Sequence, residues 1–270
     1  MKILFIGVGK MGFPIISSWV KSKKQKFIDI YIVEKNRANI NSIKKNNIKV
    51  KIFKQIPDNW KGDIIFFAVK PQDFKKINQE INSKNINYKN VISIMAGITI
   101  NKIRSELKTQ AGITRVMPNL AVEINLGVNC IFHSSNTKAL TRSNINYLFN
   151  LLGNNYQIKN EKLLNTVTAI SGSGPAYFFL FLHVFESIAN DLGFSKKYSR
   201  NLVFDTIEGA FELAKKEKNI RKLISSVSSK KGTTEAAMTI LEKKNTGLYK
   251  LMKDAINAAK KKANNLSEVK

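Results

Sequence analysis

The segment that most limits what this chain can fold into lies at its start. An apolar run, Ile3-Leu4-Phe5-Ile6, leads into Gly7-Val8-Gly9-Lys10-Met11-Gly12, and Ile15, Ile16, Trp19 and Val20 follow at helical spacing. Strand, glycine turn and helix in that order open a parallel α/β sheet, and G-x-G-x-x-G is informative only in that setting. Gly7 permits the tight turn, Gly9 lets the backbone approach a pyrophosphate, and Gly12 lets the helix pack on the strand. The free N–H groups of the helix N-terminus then receive the phosphates. Gly7, Gly9, Lys10, Met11 and Gly12 are therefore expected to hold a dinucleotide.

The alternation continues to about residue 160. Short β-rich runs at Ile28–Val33, Val50–Phe53, Ile64–Val69, Val91–Met95, Ile113–Met117 and Val128–Phe132 are separated by polar helical stretches. Their near-continuous hydrophobicity suits strands covered on both faces. Beyond residue 160 the pattern becomes helical, with segments at Ala176–Asp191, Lys197–Lys216, Arg221–Val227, Thr234–Lys243 and Thr246–Asn265. The expected fold class is α/β, an N-terminal Rossmann-type doubly wound sheet over residues 1–160 followed by an all-α domain over 161–270. Phe178, Phe179, Phe181, Leu182, Phe185 and Ile188 make the first long helix apolar on most sides, which points to burial against a partner subunit. The lysine-rich tail after Ala259 reads as a frayed helix end.

Composition narrows the function classes. The 45 Lys and Arg against 19 Asp and Glu leave a net charge of +26, which raises the question of nucleic acid. Nearly all of the excess is lysine, scattered with Asn and Ile, whereas base recognition favours arginine forks and exposed aromatics. No nucleic-acid partner is expected. No run of about 18 uninterrupted apolar residues is present, so no membrane span and a cytoplasmic location are expected. A single cysteine, Cys130, with only His133 and His183, supports neither a disulfide framework nor a metal cluster.

Further ligand-facing segments sit where α/β folds bind cofactors. Glu34 ends the second run, about 25 residues after Gly9, where an acid binds the adenosine ribose 2′-hydroxyl and disfavours a 2′-phosphate. Lys35 and Arg37 beside it would act in the opposite direction, so NADH and NADPH both remain open. Ala68-Val69-Lys70-Pro71 and Met95-Ala96-Gly97 follow two further strands and are expected to line the nicotinamide half; Lys70 is a surface or phosphate-facing lysine before it is a proton donor. In the helical half, Ser171-Gly172-Ser173-Gly174-Pro175 precedes one helix and Ser228-Ser229-Lys230-Lys231-Gly232-Thr233-Thr234-Glu235 opens another. Backbone N–H groups and hydroxyls at such turns can cradle a small carboxylic acid.

These segments together resemble the pyrroline-5-carboxylate reductases. The resemblance rests on the opening glycine turn, Phe67 to Pro71, Ile94 to Gly97, Arg115-Val116-Met117-Pro118-Asn119, Ser171 to Tyr177, and Gly232-Thr233-Thr234, in the family's order. It implies hydride transfer from NADPH or NADH to the imine carbon of 1-pyrroline-5-carboxylate, giving L-proline. It also implies a homodimer interlocked through the helical domains, with dimers assembling into decamers. Ser229, Gly232, Thr233 and Thr234 are implied to bind the substrate carboxylate, with Asn119 and Ser171 at the same site and the Thr234 hydroxyl on the ring nitrogen.

Three departures stand out. The family's Ser-Pro-Gly-Gly-Thr-Thr is here Ser229-Lys230-Lys231-Gly232-Thr233-Thr234, which loses a rigid proline and a permissive glycine. Its Pro-Asn-Thr-Pro is here Pro118-Asn119-Leu120-Ala121, and Glu34 stands where many relatives carry small or hydroxyl residues and use NADPH. A β-hydroxyacid dehydrogenase is the enzymatic rival, but it needs a lysine on the helix after the glycine-rich turn, and none occurs from Ser171 to Asp191. A non-catalytic dinucleotide sensor or nucleic-acid-binding protein is the rival from another class.

Overall fold

The computed structural model describes residues 1–22 and 28–268. Strands β1 (Lys2–Ile6), β2 (Asp29–Val33), β3 (Lys51–Phe53), β4 (Ile64–Phe67), β5 (Asn90–Ser93), β6 (Gly112–Met117), β7 (Gly127–His133) and β8 (Gly153–Gln157) form one sheet in the order 3-2-1-4-5-6-7-8. All neighbours pair in parallel except β6 and β7, where Thr114 faces His133 and Met117 faces Cys130. This is the expected doubly wound sheet with one addition: β8, Gly-Asn-Asn-Tyr-Gln, pairs in parallel with β7. It is a polar edge strand, so hydrophobic patterning gives no sign of it.

Helices α1 (Gly12–Lys21), α2 (Arg37–Lys45), α3 (Phe74–Ser83), α4 (Ile100–Leu107) and α5 (Ala139–Asn150) cover the two faces. Alternation along β1 divides the core. Ile3 and Phe5 point to the side of α1, α2 and α5, where Trp19 meets Phe5, Phe66 and Phe149 edge-on. Leu4 and Ile6 join Phe67, Phe74, Ile81, Ile103 and Leu107 on the side of α3 and α4. Trp19 also donates its indole N–H to the Leu148 carbonyl at 2.9 Å, so its one polar atom is paired inside the core.

The helical half comprises α6 (Leu163–Val167), a π-helical turn at Thr168–Gly172, α7 (Gly174–Asp191), α8 (Lys196–Lys216), α9 (Ile220–Val227), α10 (Thr233–Leu241) and α11 (Leu248–Glu268). Two compact units result: Met1–Ser173 with Ala259–Lys270, and Gly174–Ala258. The change from strands to helices falls near residue 160, between Gln157 and Leu163.

In the first unit the last part of α11 is not frayed, contrary to expectation. Ala263 is buried, Asn264 accepts from the Asn165 amide at 3.0 Å, and Leu266 lies against Gly97. Helical order persists to Glu268 because this stretch has a surface to pack on, which its lysine-rich sequence does not reveal; Val269 and Lys270 lie outside the described residues. In the second unit α7 and α8 pack together through a turn in which Gly193 has φ +102° and the Ser195 hydroxyl caps α8. Phe178, Phe179, Leu180 and Phe181 nonetheless stay between 51% and 71% exposed.

Candidate functional site

The opening turn has the geometry that its spacing requires. Gly7 takes φ +90° and donates its N–H to the Val33 carbonyl at 3.0 Å; a Cβ there would sit 2.5 Å from Val69. A Cβ on Gly12 would lie 2.5 Å from the Gly7 carbonyl oxygen, so strand and helix meet at a distance only glycine allows. Gly9 is different, because nothing lies within 4 Å of an added Cβ and its face is open. Helix α1 has no acidic residue in its first turn and no side-chain cap on its N-terminus, where Lys10 is exposed and Met11 half-buried. Uncapped N–H groups beside an open glycine face suit the pyrophosphate of a dinucleotide.

Glu34 leaves β2 directly beside this turn. Its Oε2 accepts from the Val8 N–H at 2.7 Å and the Asn39 amide at 3.0 Å, and its Oε1 from the Lys35 and Asn36 N–H groups at 2.8 Å each. A cleft of about 250 Å³ adjoins it, lined by Gly7, Glu34, Lys35, Val69, Asp73, Lys76 and Glu80 among others. Glu80 and Asn39 carry no local signal in the sequence; α3 and α2 bring them here.

Ala68 continues β4, its N–H bonded to the Ile6 carbonyl at 2.9 Å, and Val69 lines the cleft. Lys70 is exposed and Pro71 opens a short 3-10 turn, so the Lys70 ammonium faces solvent. Gly97, with φ +78°, is buried against the Leu266 backbone, and Ala96 beside it is half-buried. Asn119 is buried to 9% exposure; its Oδ1 accepts from the Val128 N–H at 3.1 Å, leaving the amide N–H₂ as donor. Ser171 donates to the Val167 carbonyl at 3.2 Å. Burial pushes the nearby Cys130 thiol up from its ordinary value, an effect that the neighbouring Ser171 partly offsets.

In the second unit, Gly232 is the N-cap of α10 and supplies no side-chain cap, so Thr234 falls within the first turn and is not itself the cap. Ser229 accepts from the Gly232 N–H at 3.0 Å through its carbonyl, and a Cβ on Gly232 would lie 2.4 Å from the Ser229 hydroxyl. Lys231 takes φ +60°, so the loop keeps a left-handed residue where the family's glycine stands. Its N–H donates to the Glu235 carboxylate at 2.6 Å. Glu235 is the acid in the first turn of α10, and its carboxylate meets the N–H one residue before the Gly232 N-cap rather than that of the N-cap itself. The Thr233 and Thr234 hydroxyls have no hydrogen-bond partner among the described residues, which leaves both to a ligand.

Comparison with known proteins bears on all of these segments. A family model described as pyrroline-5-carboxylate reductase dimerisation matches residues 161–266, and one described as NADP oxidoreductase, coenzyme F420-dependent, matches residues 2–97. A pyrroline-5-carboxylate reductase of Staphylococcus haemolyticus is 31% identical over 99% of this chain and 98% of its own length. One of Aquifex aeolicus is 33% identical over 98% and 97%. A solved Plasmodium falciparum pyrroline carboxylate reductase with NADP bound is 25% identical, has a TM-score of 0.81, and is matched over 99% of this chain and all of that one. Since the similarity runs unbroken through both glycine turns and both halves, the chain belongs to the pyrroline-5-carboxylate reductase family.

Proposed function

We propose that this chain reduces the C=N bond of 1-pyrroline-5-carboxylate with NAD(P)H to give L-proline. The observation that carries the reading is full-length similarity that includes both the Gly7–Gly12 turn and the Gly232-Thr233-Thr234 turn. Bound NAD(P)H would supply the hydride. The work of the protein is then to hold the partners, and correct placement of reacting groups can remove roughly 7 to 11 kcal/mol of barrier.

In this reading the α1 N-terminus with Gly7, Gly9, Lys10, Met11 and Gly12 takes the pyrophosphate, Glu34 faces the adenosine ribose, and Ala68, Val69, Lys70, Pro71, Ala96 and Gly97 line the nicotinamide half. Ser229, Gly232 and Thr233 hold the substrate carboxylate, and the Thr234 hydroxyl bonds the ring nitrogen, acting as the one catalytic side chain. Asn119, through its free amide N–H₂, and Ser171 complete the substrate contacts. The uncapped first turn of α10 and the unpartnered hydroxyls of Thr233 and Thr234 support these roles.

The functional division is taken at residue 160, with 1–160 binding the dinucleotide and 161–270 serving substrate and dimer. Among the described residues the stretch Leu163–Asp191 is long and apolar enough to cross a membrane by length and composition. Its placement inside the segment matched by the dimerisation model favours a homodimer contact for the exposed Phe178–Phe181 face, with dimers assembling into decamers. A cytoplasmic enzyme without nucleic-acid or membrane partners completes the reading.

The deciding experiment is an assay of the purified chain with pyrroline-5-carboxylate and each cofactor in parallel. Oxidation of either cofactor is expected; no turnover with both overturns the assignment. Steep salt-dependent DNA binding together with no turnover would favour the binding-protein alternative.

A further inference from the structure

The Glu34 carboxylate is held by donors that the protein itself supplies, and this bears on which dinucleotide the chain accepts. The Val8, Lys35 and Asn36 N–H groups and the Asn39 amide all point at its two oxygens. Two further donors along the chain are taken as well. Asn36 Oδ1 caps α2 by accepting from the Ala38 N–H at 2.8 Å and the Asn39 N–H at 3.3 Å. The Lys35, Asn36, Ala38 and Asn39 N–H groups therefore all have side-chain acceptors already.

We propose that Glu34 fills, with its own charge, the donor set that a ribose 2′-phosphate would need, so that the chain binds NADH in preference to NADPH. This rests on the reading of the Gly7–Gly12 turn as the dinucleotide site. A ribose 2′-hydroxyl is neutral and sets no charge against the Glu34 carboxylate, whose two oxygens already accept four donors. A 2′-phosphate, mostly dianionic at neutral pH, has no hydrogen to offer, meets the Glu34 charge directly, and finds the neighbouring N–H groups occupied.

The rest of the cleft does not reverse this. Its charged lining is Glu34, Asp73 and Glu80 against Lys35 and Lys76. Lys35, the cation next to Glu34 in sequence, places its ammonium 3.6 Å from Glu80, and Glu80 is in turn held by the Ile56 N–H at 2.7 Å. Arg37 is exposed on the first turn of α2 and lines no part of the cleft. Of these cations Lys35 is paired with Glu80, Lys76 lines the cleft with no ion pair among the described residues, and Arg37 lies outside the lining, so acids still outnumber cations around Glu34.

The test is direct binding to the full chain, without turnover. Dissociation constants for NADH and NADPH are measured by fluorescence titration, and those for ADP-ribose and its 2′-phosphate by competition. NADH is expected to bind at least tenfold more tightly than NADPH, with the same bias in the fragment pair that lacks nicotinamide. In Glu34→Ser, with an unchanged circular dichroism spectrum, the bias should shrink by tenfold or more. NADPH binding as tightly as NADH to the unmodified chain overturns the proposal. So does an undiminished bias in a folded Glu34→Ser; if that variant does not fold, the fragment pair on the unmodified chain decides. Binding of neither dinucleotide overturns the reading of the turn as well, which separates the two failures.

Discussion

The Glu161 carboxylate sits 2.8 Å from the Arg115 guanidinium, which is only 3% exposed in the middle of β6. The same carboxylate oxygen accepts the Ile100 N–H at 2.7 Å, so one side chain joins the sheet to the first turn of α4. Burial lowers the Arg115 pKa from its ordinary value, and Glu161 opposes that shift by favouring the charged form.

Removing one partner of a buried pair costs more than removing both, because the remaining charge is left unpaired. Glu161→Ala should therefore cost about 3 kcal/mol, at the low end of the buried-pair range because Glu161 itself is partly exposed. The double variant Arg115→Met, Glu161→Ala should lose less than Glu161→Ala alone. Urea denaturation of both variants measures this; equal losses would show that Arg115 finds another partner.

Lys231 carries a left-handed backbone at φ +60° that a side chain makes unfavourable by roughly 1 kcal/mol. Lys231→Gly relieves that strain while keeping the N–H bond to Glu235, and the looser unfolded chain returns part of the gain. A rise in Tm of about 2 °C is expected for a chain of this size. Calorimetry checks it, and a fall in Tm would show that the lysine side chain contributes more than its backbone strain.

His133 is half-buried, with its Nδ1 2.8 Å from the Thr114 hydroxyl and its buried Nε2 without a partner among the described residues. Burial, with a smaller contribution from Arg142, lowers its pKa to about 4 from 6.5. Between those values the unfolded chain binds a proton that the folded chain refuses, so stability rises with pH across this window and is lost on acidification from about 6.5 towards 4. Allowing for partial exposure, roughly 1 kcal/mol should disappear between pH 6.5 and 5. In His133→Gln that loss should be absent, as denaturant titrations at the two pH values would show; an identical slope would assign the pH dependence elsewhere.

Thr234→Ala removes a hydroxyl that has no hydrogen-bond partner among the described residues. If it bonds the substrate nitrogen in its charged, protonated form, kcat/KM for the imine should fall by roughly tenfold to a hundredfold, the equivalent of one hydrogen bond to a charged group. Because Gly232 and not Thr234 caps α10, Tm should change little. An unchanged kcat/KM would leave Thr234 without a role in the reaction.

Most of the sheet and all the long helices were readable, because strand burial and helix amphipathicity repeat along the chain and glycine turns announce their own backbone angles. Both halves of the candidate site were readable for the same reason: Gly7, Gly12 and Gly232 stand where a Cβ would collide with atoms a few residues away or in the next strand. What the pattern does not contain is any feature whose partner is distant. The polar edge strand Gly153–Gln157, the antiparallel pairing of β6 with β7, the Arg115–Glu161 bridge and the seating of Leu266 on Gly97 all depend on residues that become neighbours only after folding.

Glu34 shows where the division falls. Sequence alone determined that a dinucleotide turn opens the chain and that an acid ends the second strand, because both follow from local spacing. Only the tertiary structure decided what that acid holds. Val8 lies on one turn and Asn39 on another helix, and the parallel pairing of β1 with β2 brings their donors to one carboxylate. Hydrogen bonds between segments leave no periodic trace in a sequence, so a partner set of this kind becomes visible only once the sheet is formed.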